Sequence, residues 1–436
     1  MPKEKSDILL FLVVNFFQIV YMIINHVIML VVVTNMIKVK IKKKGDSMSI
    51  SKIRFKGYDN SIERKTIGDI TTSFSGGTPK SSNKTYYEGN IPFIRSGEIK
   101  SKQTELFISD EALKNSSAKM VEKGDILYAL YGATSGEVAI SQINGAINQA
   151  ILAIKPNSGY SSEFIMNYLK KEKDNILEKY LQGGQGNLSA AIVKSIELHL
   201  PSQKEQSAIG SLFRTLDDLL ASYKDNLANY QSLKSTMLSK MFPKAGQTVP
   251  EIRLDGFEGE WEEKEFSKLV KRVTQSSDSD SLPKVEFEDI ISGQGRLNKD
   301  ISSKFDNRKG IHFKPGYTLY GKLRPYLNNW LLPKFEGVAL GDFWVFDPNG
   351  NDSNFIYYLV QSSRYQKVAN DTSGTKMPRS DWKSVSSTVF AIPQTIAEQQ
   401  AIGAYFSNLD NLIAAHQEKI SQLEILKKKL LQDMFI

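Results

Sequence analysis

Apolar residues recur at steps of three and four along two long polar stretches of the 436-residue chain. In residues 201–242 they are Leu212, Leu216, Leu219, Tyr223, Leu227, Tyr230, Leu233, Met237 and Met241. In residues 393–436 they are Ile402, Phe406, Leu409, Ile413, Ile420, Leu423, Leu426, Leu430 and Met434. A narrow stripe sustained over about four heptads is typical of a coiled-coil seam. We therefore predict two long helices that pair with each other; the alternative is two unrelated surface helices on separate domains.

The two stretches are also copies of each other. Each follows a proline, passes through Glu-Gln, Ile-Gly, Phe and Leu-Asp at matching positions, and ends on Met-Phe. A repeat of this length indicates a duplicated architecture. We expect the matching residues to serve helix pairing or contact with another subunit, and they are Glu205, Gln206, Phe213, Leu216, Asp217, Glu398, Gln399, Phe406, Leu409 and Asp410.

Segments with strand patterns precede each long helix. In residues 48–200, short apolar runs such as Val138–Ile140 and 150–154 are bounded by turn residues, and helical spacing follows over 163–180. Residues 261–392 repeat this order more loosely, with 315–321 matching 123–129.

The predicted fold class is α/β (α+β). Two tandem domains, 48–200 and 261–392, are each followed by a long helix, 201–242 and 393–436, and the linker 243–260 joins the halves. We expect the helices to form an antiparallel coiled coil with pseudo-two-fold symmetry.

Residues 1–47 do not fit this plan. Ile8–Val33 carries no charge and is long enough to span a bilayer, with lysines after it. One interpretation is a membrane anchor, which would favour a membrane-anchored scaffold protein. The interpretation that we prefer is a misplaced start, with the working chain beginning at Met48.

Composition narrows the possible chemistry. The chain has no Cys, which excludes thiolate chemistry, and a reducing, cytoplasmic location is expected. Its four His are scattered singly, which disfavours a His-based metal site. The formal net charge is +8, but residues 1–47 hold seven Lys and three acidic residues and so supply half of it. The two predicted domains are mildly basic, which suits a polyanionic partner.

The ordered set of motifs resembles the specificity subunit of Type I restriction–modification systems. The resemblance rests on the Gly-Gly-Thr-Pro loop at 76–79, the Asn-Ile-Pro-Phe-Ile run at 90–94, the Gly-rich loop at 183–187 and the two repeated helices. It covers residues 62–436. In the second domain Gln275–Asp280 stands in place of the Gly-Gly-Thr-Pro loop.

The resemblance implies a non-catalytic DNA-recognition subunit. Each domain would be a target recognition domain that reads one half of a bipartite double-stranded DNA site, and the helices would set the gap and dock two methyltransferase subunits. Restriction subunits are possible further partners. No cofactor or small-molecule substrate is expected on this chain, whereas S-adenosylmethionine, ATP and Mg²⁺ are expected on the partner subunits.

Intrinsic catalysis has little support in the residues. No phosphate-binding Gly-Lys-Ser/Thr loop occurs. Asp347-Pro348-Asn349 suits a turn better than an adenine-methylating loop, and Glu98-Ile99-Lys100 lacks an upstream Asp to complete a nuclease motif. A freestanding nuclease is therefore the weaker alternative.

DNA recognition needs cationic and amide side chains on loops, because phosphate contacts set the register and base-edge contacts carry the sequence. We expect about half of the candidates to be solvated surface side chains, and Tyr86, Tyr131 and Trp330 to be core residues. The candidates are Thr78, Lys80, Tyr86, Arg95, Ser96, Lys100, Tyr131, Thr134, Gln185 and Asn187 in the first domain, and Lys322, Arg324, Tyr326, Asn328, Asn329, Lys376 and Arg379 in the second.

Overall fold

The structure is a computed structural model that describes residues 36–38, 53–58, 62–181, 187–304, 307–371 and 376–435. The chain divides into two compact units. The first comprises residues 1–223 and 419–436, and the second comprises residues 224–418.

The first unit contains twelve strands and five short helices among its described residues. The strands are β1 (Met36–Lys38), β2 (Ile53–Phe55), β3 (Glu63–Thr66), β4 (Thr71–Ser75), β5 (Ile91–Ile94), β6 (Phe107–Ile108), β7 (Lys119–Val121), β8 (Ile126–Ala129), β9 (Val138–Ile140), β10 (Gly145–Ile147), β11 (Ile151–Pro156) and β12 (Glu197–Leu200). The helices are α1 (Ile67–Ile70), α2 (Asp110–Lys114), α3 (Ser162–Lys171), α4 (Lys173–Leu181) and α5 (Ala190–Lys194), with 3₁₀ turns at Lys84–Tyr87 and Ser96–Glu98.

The long helix α6 (Gln203–Lys240) contributes residues to both units. The strands of the second unit are β13 (Glu262–Glu265), β14 (Lys271–Val273), β15 (Ser276–Ser277), β16 (Lys284–Val285), β17 (Ile290–Ile291), β18 (Arg296–Leu297), β19 (Gly310–Phe313), β20 (Thr318–Gly321), β21 (Trp330–Leu331), β22 (Gly337–Ala339), β23 (Phe343–Asp347) and β24 (Val389–Ile392). Its helices are α7 (Phe266–Leu269), α8 (Ser353–Leu359), α9 (Ser363–Ala369) and α10 (Trp382–Ser387), with 3₁₀ turns at Phe287–Asp289 and Pro325–Leu327. The second long helix, α11 (Ile396–Met434), also contributes to both units.

The two units share the order of their antiparallel sheet and of three strands in a second, mixed sheet, whose fourth strand lies beside β5 in the first unit and beside β19 in the second. In the first, β4-β11-β8-β9 is antiparallel, and β6-β5-β10-β7 contains a parallel β5–β10 pair. In the second, β14-β23-β20-β21 is antiparallel, and β15-β19-β22-β16 contains a parallel β16–β22 pair. The strand before each long helix pairs with the strand that opens its domain, β12 with β3 and β24 with β13. The shared order confirms the predicted duplication and the mixed α/β class.

Each unit builds its own apolar core. The centre of the first combines Ile126, Tyr128, Leu152 and Ile154 of the antiparallel sheet with Phe164 of α3 and residues of the long helices. In the second unit, Tyr320 and Phe346 pack with Phe355, Tyr365 and α11 in the same manner. Alternate side chains of a strand face one side of the sheet, so one face is free to pack on the helices.

The long helices run antiparallel in each unit. In the first unit the Phe213 ring lies 5.7 Å from that of Phe435, which follows α11, and Asp217 forms an ion pair with Lys427. In the second unit Lys234 Nζ lies 2.7 Å from Asp410 Oδ1, and the Tyr230 ring lies 5.1 Å from that of His416. Residues later in α6 thus contact residues earlier in α11, so the two helices are antiparallel, as predicted. Pseudo-two-fold symmetry stays a prediction.

The predicted helix over 163–180 is two helices. Glu172 ends α3, where its N–H donates to the Tyr168 carbonyl at 3.0 Å, and its carboxylate accepts from Asn175 at 2.8 Å in the first turn of α4. A carboxylate at a helix N-terminus interacts favourably with the helix dipole. The corresponding stretch of the second unit is also divided, into α8 and α9.

Most of residues 1–47 lie outside the described part, including Ile8–Val33. Within the described part, β1 pairs antiparallel with β2. Among the described residues, no helix has the length and apolar character needed to cross a membrane.

Candidate nucleic-acid interface

The Gly76-Gly77-Thr78-Pro79 segment is a tightly packed loop beside β10. The Gly77 N–H donates to the Ile147 carbonyl at 3.2 Å, and a Cβ on Gly76 would overlap that same carbonyl oxygen. The glycines therefore shape the loop. Thr78 and Lys80 are exposed on it, and the Thr78 hydroxyl donates to Gln149.

Arg95 is held by two carboxylates. Its Nε lies 3.0 Å from Glu98 Oε2 and its Nη2 lies 2.6 Å from Glu105 Oε2, next to the 3₁₀ turn that begins at Ser96. Burial raises the pKa of Glu98, but hydrogen bonds from the Arg95 side chain and from backbone N–H groups outweigh it and lower this pKa to about 2. Arg95 thus fixes the 95–105 loop, and a DNA contact would compete with these ion pairs.

Glu137 links two lysines in the first unit. Lys100 and Lys173 both hydrogen-bond its carboxylate and lower its pKa from 4.5 to about 2. Lys100 is exposed, so one face of its ammonium group remains open to solvent. Its role in DNA contact stays a prediction.

This pKa shift leads to a pH-dependent stability prediction. Because the folded-state pKa of Glu137 is depressed, its contribution is present above about pH 4.5 and is lost as the pH falls toward 2. Glu137→Gln should lower the free energy of unfolding by about 1–2 kcal/mol at pH 7, allowing for partial solvent screening. Thermal unfolding of both proteins between pH 7 and pH 3 should show the difference shrinking below pH 4.5. A constant difference would contradict the assignment.

The remaining candidates of the first domain are less prominent. Tyr86 and Tyr131 pack against apolar clusters but are only half-buried, so neither is a fully buried core residue. Thr134 is half-buried and its carbonyl accepts from the Glu137 N–H. Asn187 is exposed, and Gln185 lies outside the described residues, as does most of the Gly183 loop.

The densest candidate cluster of the second domain is a rigid turn. Residues 322–328 leave β20, pass through the Pro325–Leu327 3₁₀ turn and return toward β21. Arg324 and Asn328 bracket this turn with φ values of 48° and 55°. Left-handed backbone is tolerated by Asn but costs about 1–2 kcal/mol at an ordinary residue such as Arg. A strained backbone of this kind is a reason to suspect a functional loop.

A second loop lies against this turn. The Arg324 N–H donates to the Pro378 carbonyl at 2.7 Å, and Leu323 forms a β-bridge with Arg379. Arg379 Nη2 lies 3.0 Å from Asp342 Oδ2 and Lys322 Nζ lies 3.6 Å from Asp342 Oδ1. Lys376 is exposed on the same loop, so the structure brings Lys322, Arg324, Tyr326, Lys376 and Arg379 together.

Asn329 requires a correction. Its residue is only 8% exposed, and its carbonyl accepts from the Gly321 N–H at 2.7 Å where β20 and β21 come together. Its side chain cannot reach a DNA groove without unfolding this region. Trp330 is buried, as expected.

Four of the residues expected in helix pairing or subunit contact form bonds within their own units. Glu205, Gln206, Glu398 and Gln399 are all buried at the starts of the long helices. The two glutamates bond to arginines, and the side-chain oxygens Oε1 of Gln206 and Gln399 accept from the backbone N–H groups of Ser161 and Asp352. The two glutamines thus attach each long helix to its own domain. Each buried glutamate has an arginine partner because a buried carboxylate needs a cation nearby.

The cations are Arg54 and Arg253, which were not among the predicted residues. Arg54 Nε donates to Glu205 Oε1 at 2.9 Å, and Arg253 makes two bonds to Glu398, of 2.7 and 2.8 Å. A short sequence repeat could have identified these arginines: Ile53-Arg54-Phe55-Lys56-Gly57-Tyr58 matches Ile252-Arg253-Leu254-Asp255-Gly256-Phe257. The two glycines share a φ near +85°, at 85° and 88°.

Contacts between the long-helix segments are made by Phe213 with Phe435, by Phe406 with Phe242, and by Asp217 and Asp410 with lysines; a pairing role for Leu216 and Leu409 stays a prediction. The aromatic and leucine residues are buried, and the aspartates pair with Lys427 and Lys234. These two lysines occupy equivalent positions of the repeat and were also missed. Among the described residues, no group of acidic or His side chains could hold a metal ion.

Comparison with known proteins places these features in a family. Residues 60–229 and 266–425 match the Type I restriction modification DNA specificity domain. The MjaIX specificity subunit of Methanocaldococcus jannaschii is 23% identical over 396 residues, covering 84% of this chain and 89% of that protein. The MjaVIII specificity subunit of the same organism is 20% identical over 391 residues, covering 84% and 90%.

A solved structure has the same fold. The S subunit of a Type I restriction–modification system from M. genitalium superposes with a TM-score of 0.59 at 15% identity, covering 89% of this chain and 99% of that chain. The duplicated family match spans well over half of the residues. The chain therefore belongs to the Type I restriction–modification DNA specificity family.

Proposed function

We propose that each recognition domain reads one half of a bipartite double-stranded DNA site. The observation that carries this proposal is the duplication: the same antiparallel sheet occurs twice, and each time a buried glutamine at the start of the long helix bonds to the domain before it. The helices are nearly identical in motif, whereas the loops of the domains differ. A common scaffold with two different loop sets suits two different half-sites.

The long helices are proposed to set the gap between half-sites and to dock two methyltransferase subunits. A duplicated scaffold presents the same docking surface twice, which suits two identical partners. Methylation and cleavage would belong to those partners and to restriction subunits, which would bring S-adenosylmethionine, ATP and Mg²⁺. The assembly would act on DNA in the cytoplasm.

The exposed cations are proposed to have two different roles, phosphate contact and base contact. Lys80 is exposed next to the tightly packed loop 76–79 of the first domain and would neutralise a phosphate. Arg324 lies on the rigid turn of the second domain, where a fixed guanidinium could bond a guanine edge bidentately. Thr78, Ser96, Lys100, Asn187, Asn328 and Lys376 would add polar contacts around them.

Two variants test this division. Arg324→Ala should weaken binding about 10–100-fold and relax the preference at one position of one half-site. Lys80→Ala should weaken binding to all sequences alike and reduce the salt dependence by about one ion. Competition binding by the complex with its methyltransferase subunit, using duplexes altered in either half-site, measures both effects.

Lys244→Ala is the matched control. This exposed linker lysine pairs with Glu251 outside both domains, so its loss should leave affinity and preference unchanged. Equal effects of Arg324→Ala and Lys244→Ala would count against a reading role for the 322–328 turn.

A further inference from the structure

Three large apolar side chains of the second domain point into solvent on the two touching loops. Tyr326 is 57% exposed, Met377 is 50% exposed and Leu327 is 39% exposed. The loops are joined by the Arg324–Pro378 bond and by the Ser380 N–H, which donates to the Lys322 carbonyl at 2.9 Å. We call Tyr326, Leu327 and Met377 the 326/377 surface.

The backbone prevents this surface from collapsing inward. The Leu327 N–H donates to the Arg324 carbonyl at 2.8 Å, and the Asn328 N–H donates to the Pro325 carbonyl at 2.9 Å. The Asn328 carbonyl accepts from the Gly293 N–H at 3.0 Å, and Pro325 is buried. A loop fixed by left-handed residues at both ends thus holds apolar groups in water. Burial against a partner would stabilise these groups.

Charge around the surface identifies the partner. Within the part of the chain that the structure describes, Arg324 and Lys376 have no ion-pair partner, and both flank the apolar centre. A cationic rim around an apolar centre complements a DNA groove, where phosphates border the base edges. It complements neither a neutral protein surface nor a basic one.

We infer that the 326/377 surface contacts the 5-methyl group of a thymine in the major groove of the second half-site. The inference rests on the proposed function and specifies what its second domain reads. Phosphates and polar base edges call for donors and acceptors, whereas the thymine methyl is the apolar group that a base edge presents in the major groove. Tyr326 and Met377 are long enough to reach beyond the backbone of the turn.

The experiment replaces thymine by deoxyuridine, which removes only the methyl group. Once the site is mapped, duplexes carrying one deoxyuridine at each thymine of both half-sites are titrated with the complex of full chain and methyltransferase subunit. One position, in the half-site that depends on Arg324, should lose about fourfold in affinity, the equivalent of one buried methyl group.

Variants connect that position to the surface. In Tyr326→Ser, Leu327→Ser and Met377→Ser, at least one protein should bind the thymine and deoxyuridine duplexes equally. Val249→Ser, which removes an apolar side chain that is exposed in the linker, should keep the full fourfold sensitivity. Unchanged thermal unfolding of each variant would show that the fold is retained.

Two results would overturn the inference: tolerance of deoxyuridine at every position, or sensitivity that persists in all three surface variants. In each case a wild-type complex that still prefers a bipartite site leaves the proposed function standing. A complex without sequence preference would overturn both.

Discussion

Arg253→Ala should lower the free energy of unfolding by about 3–5 kcal/mol, because it leaves a carboxylate buried without its cation. The Arg253 guanidinium donates to both Glu398 oxygens, and the Trp261 Nε1–H donates to Glu398 Oε1 at 3.1 Å. The Glu398 side chain is 4% exposed, so water cannot replace the lost bonds. Arg54→Ala should act similarly on Glu205 in the first unit.

Thermal unfolding measures this effect through the transition of the second unit. A loss of this size corresponds to a shift on the order of 10 °C for a unit of this length. Lys244→Ala, which breaks an exposed pair, is the control and should change stability by less than about 1 kcal/mol. Replacing both partners by methionine should recover much of the loss, since no buried charge then remains. An Arg253→Ala protein as stable as the control would contradict the assigned role.

Phe435→Ala should destabilise the first unit by about 3–5 kcal/mol, even though it lies one residue from the end of the chain. Its ring lies 5.0 Å from that of Phe164 in α3 and 5.7 Å from that of Phe213 in α6. Phe435 thus joins the end of the second half of the chain to the core of the first unit. Removing the ring leaves a cavity among buried side chains, which packing cannot fully close.

Ile425→Ala is the matched control for this prediction. It lies on the same helix, α11, but its side chain is 66% exposed. Its removal should change the free energy of unfolding by less than about 0.5 kcal/mol. Calorimetry of both variants makes the comparison, and similar losses from the two would show that the C-terminal contact is not part of the core.

The long helices were predictable because their signal is local and occurs twice. A heptad stripe needs only neighbouring residues for recognition, and the repeat by itself aligns Asp217 with Asp410. The strand Val138–Ile140 was also placed correctly, since short apolar runs with turns at both ends leave few alternatives.

The residues that sequence patterns missed are those whose partners are remote. Arg54 and Glu205 are 151 residues apart, and neither periodicity nor charge pattern pairs them. Asn329 and Arg95 show a second limit. A polar residue in a loop can face solvent, the interior or a neighbouring carboxylate, and the choice depends on tertiary contacts that no local pattern contains.

Two different recognition domains are proposed to read two separated half-sites. The most direct measurement is to express the full chain with its methyltransferase subunit and to map methylated adenines by long-read sequencing. We expect one bipartite motif with a gap of fixed length, methylated in both halves. Methylation at a continuous motif, or a stable complex that methylates no motif, would contradict it.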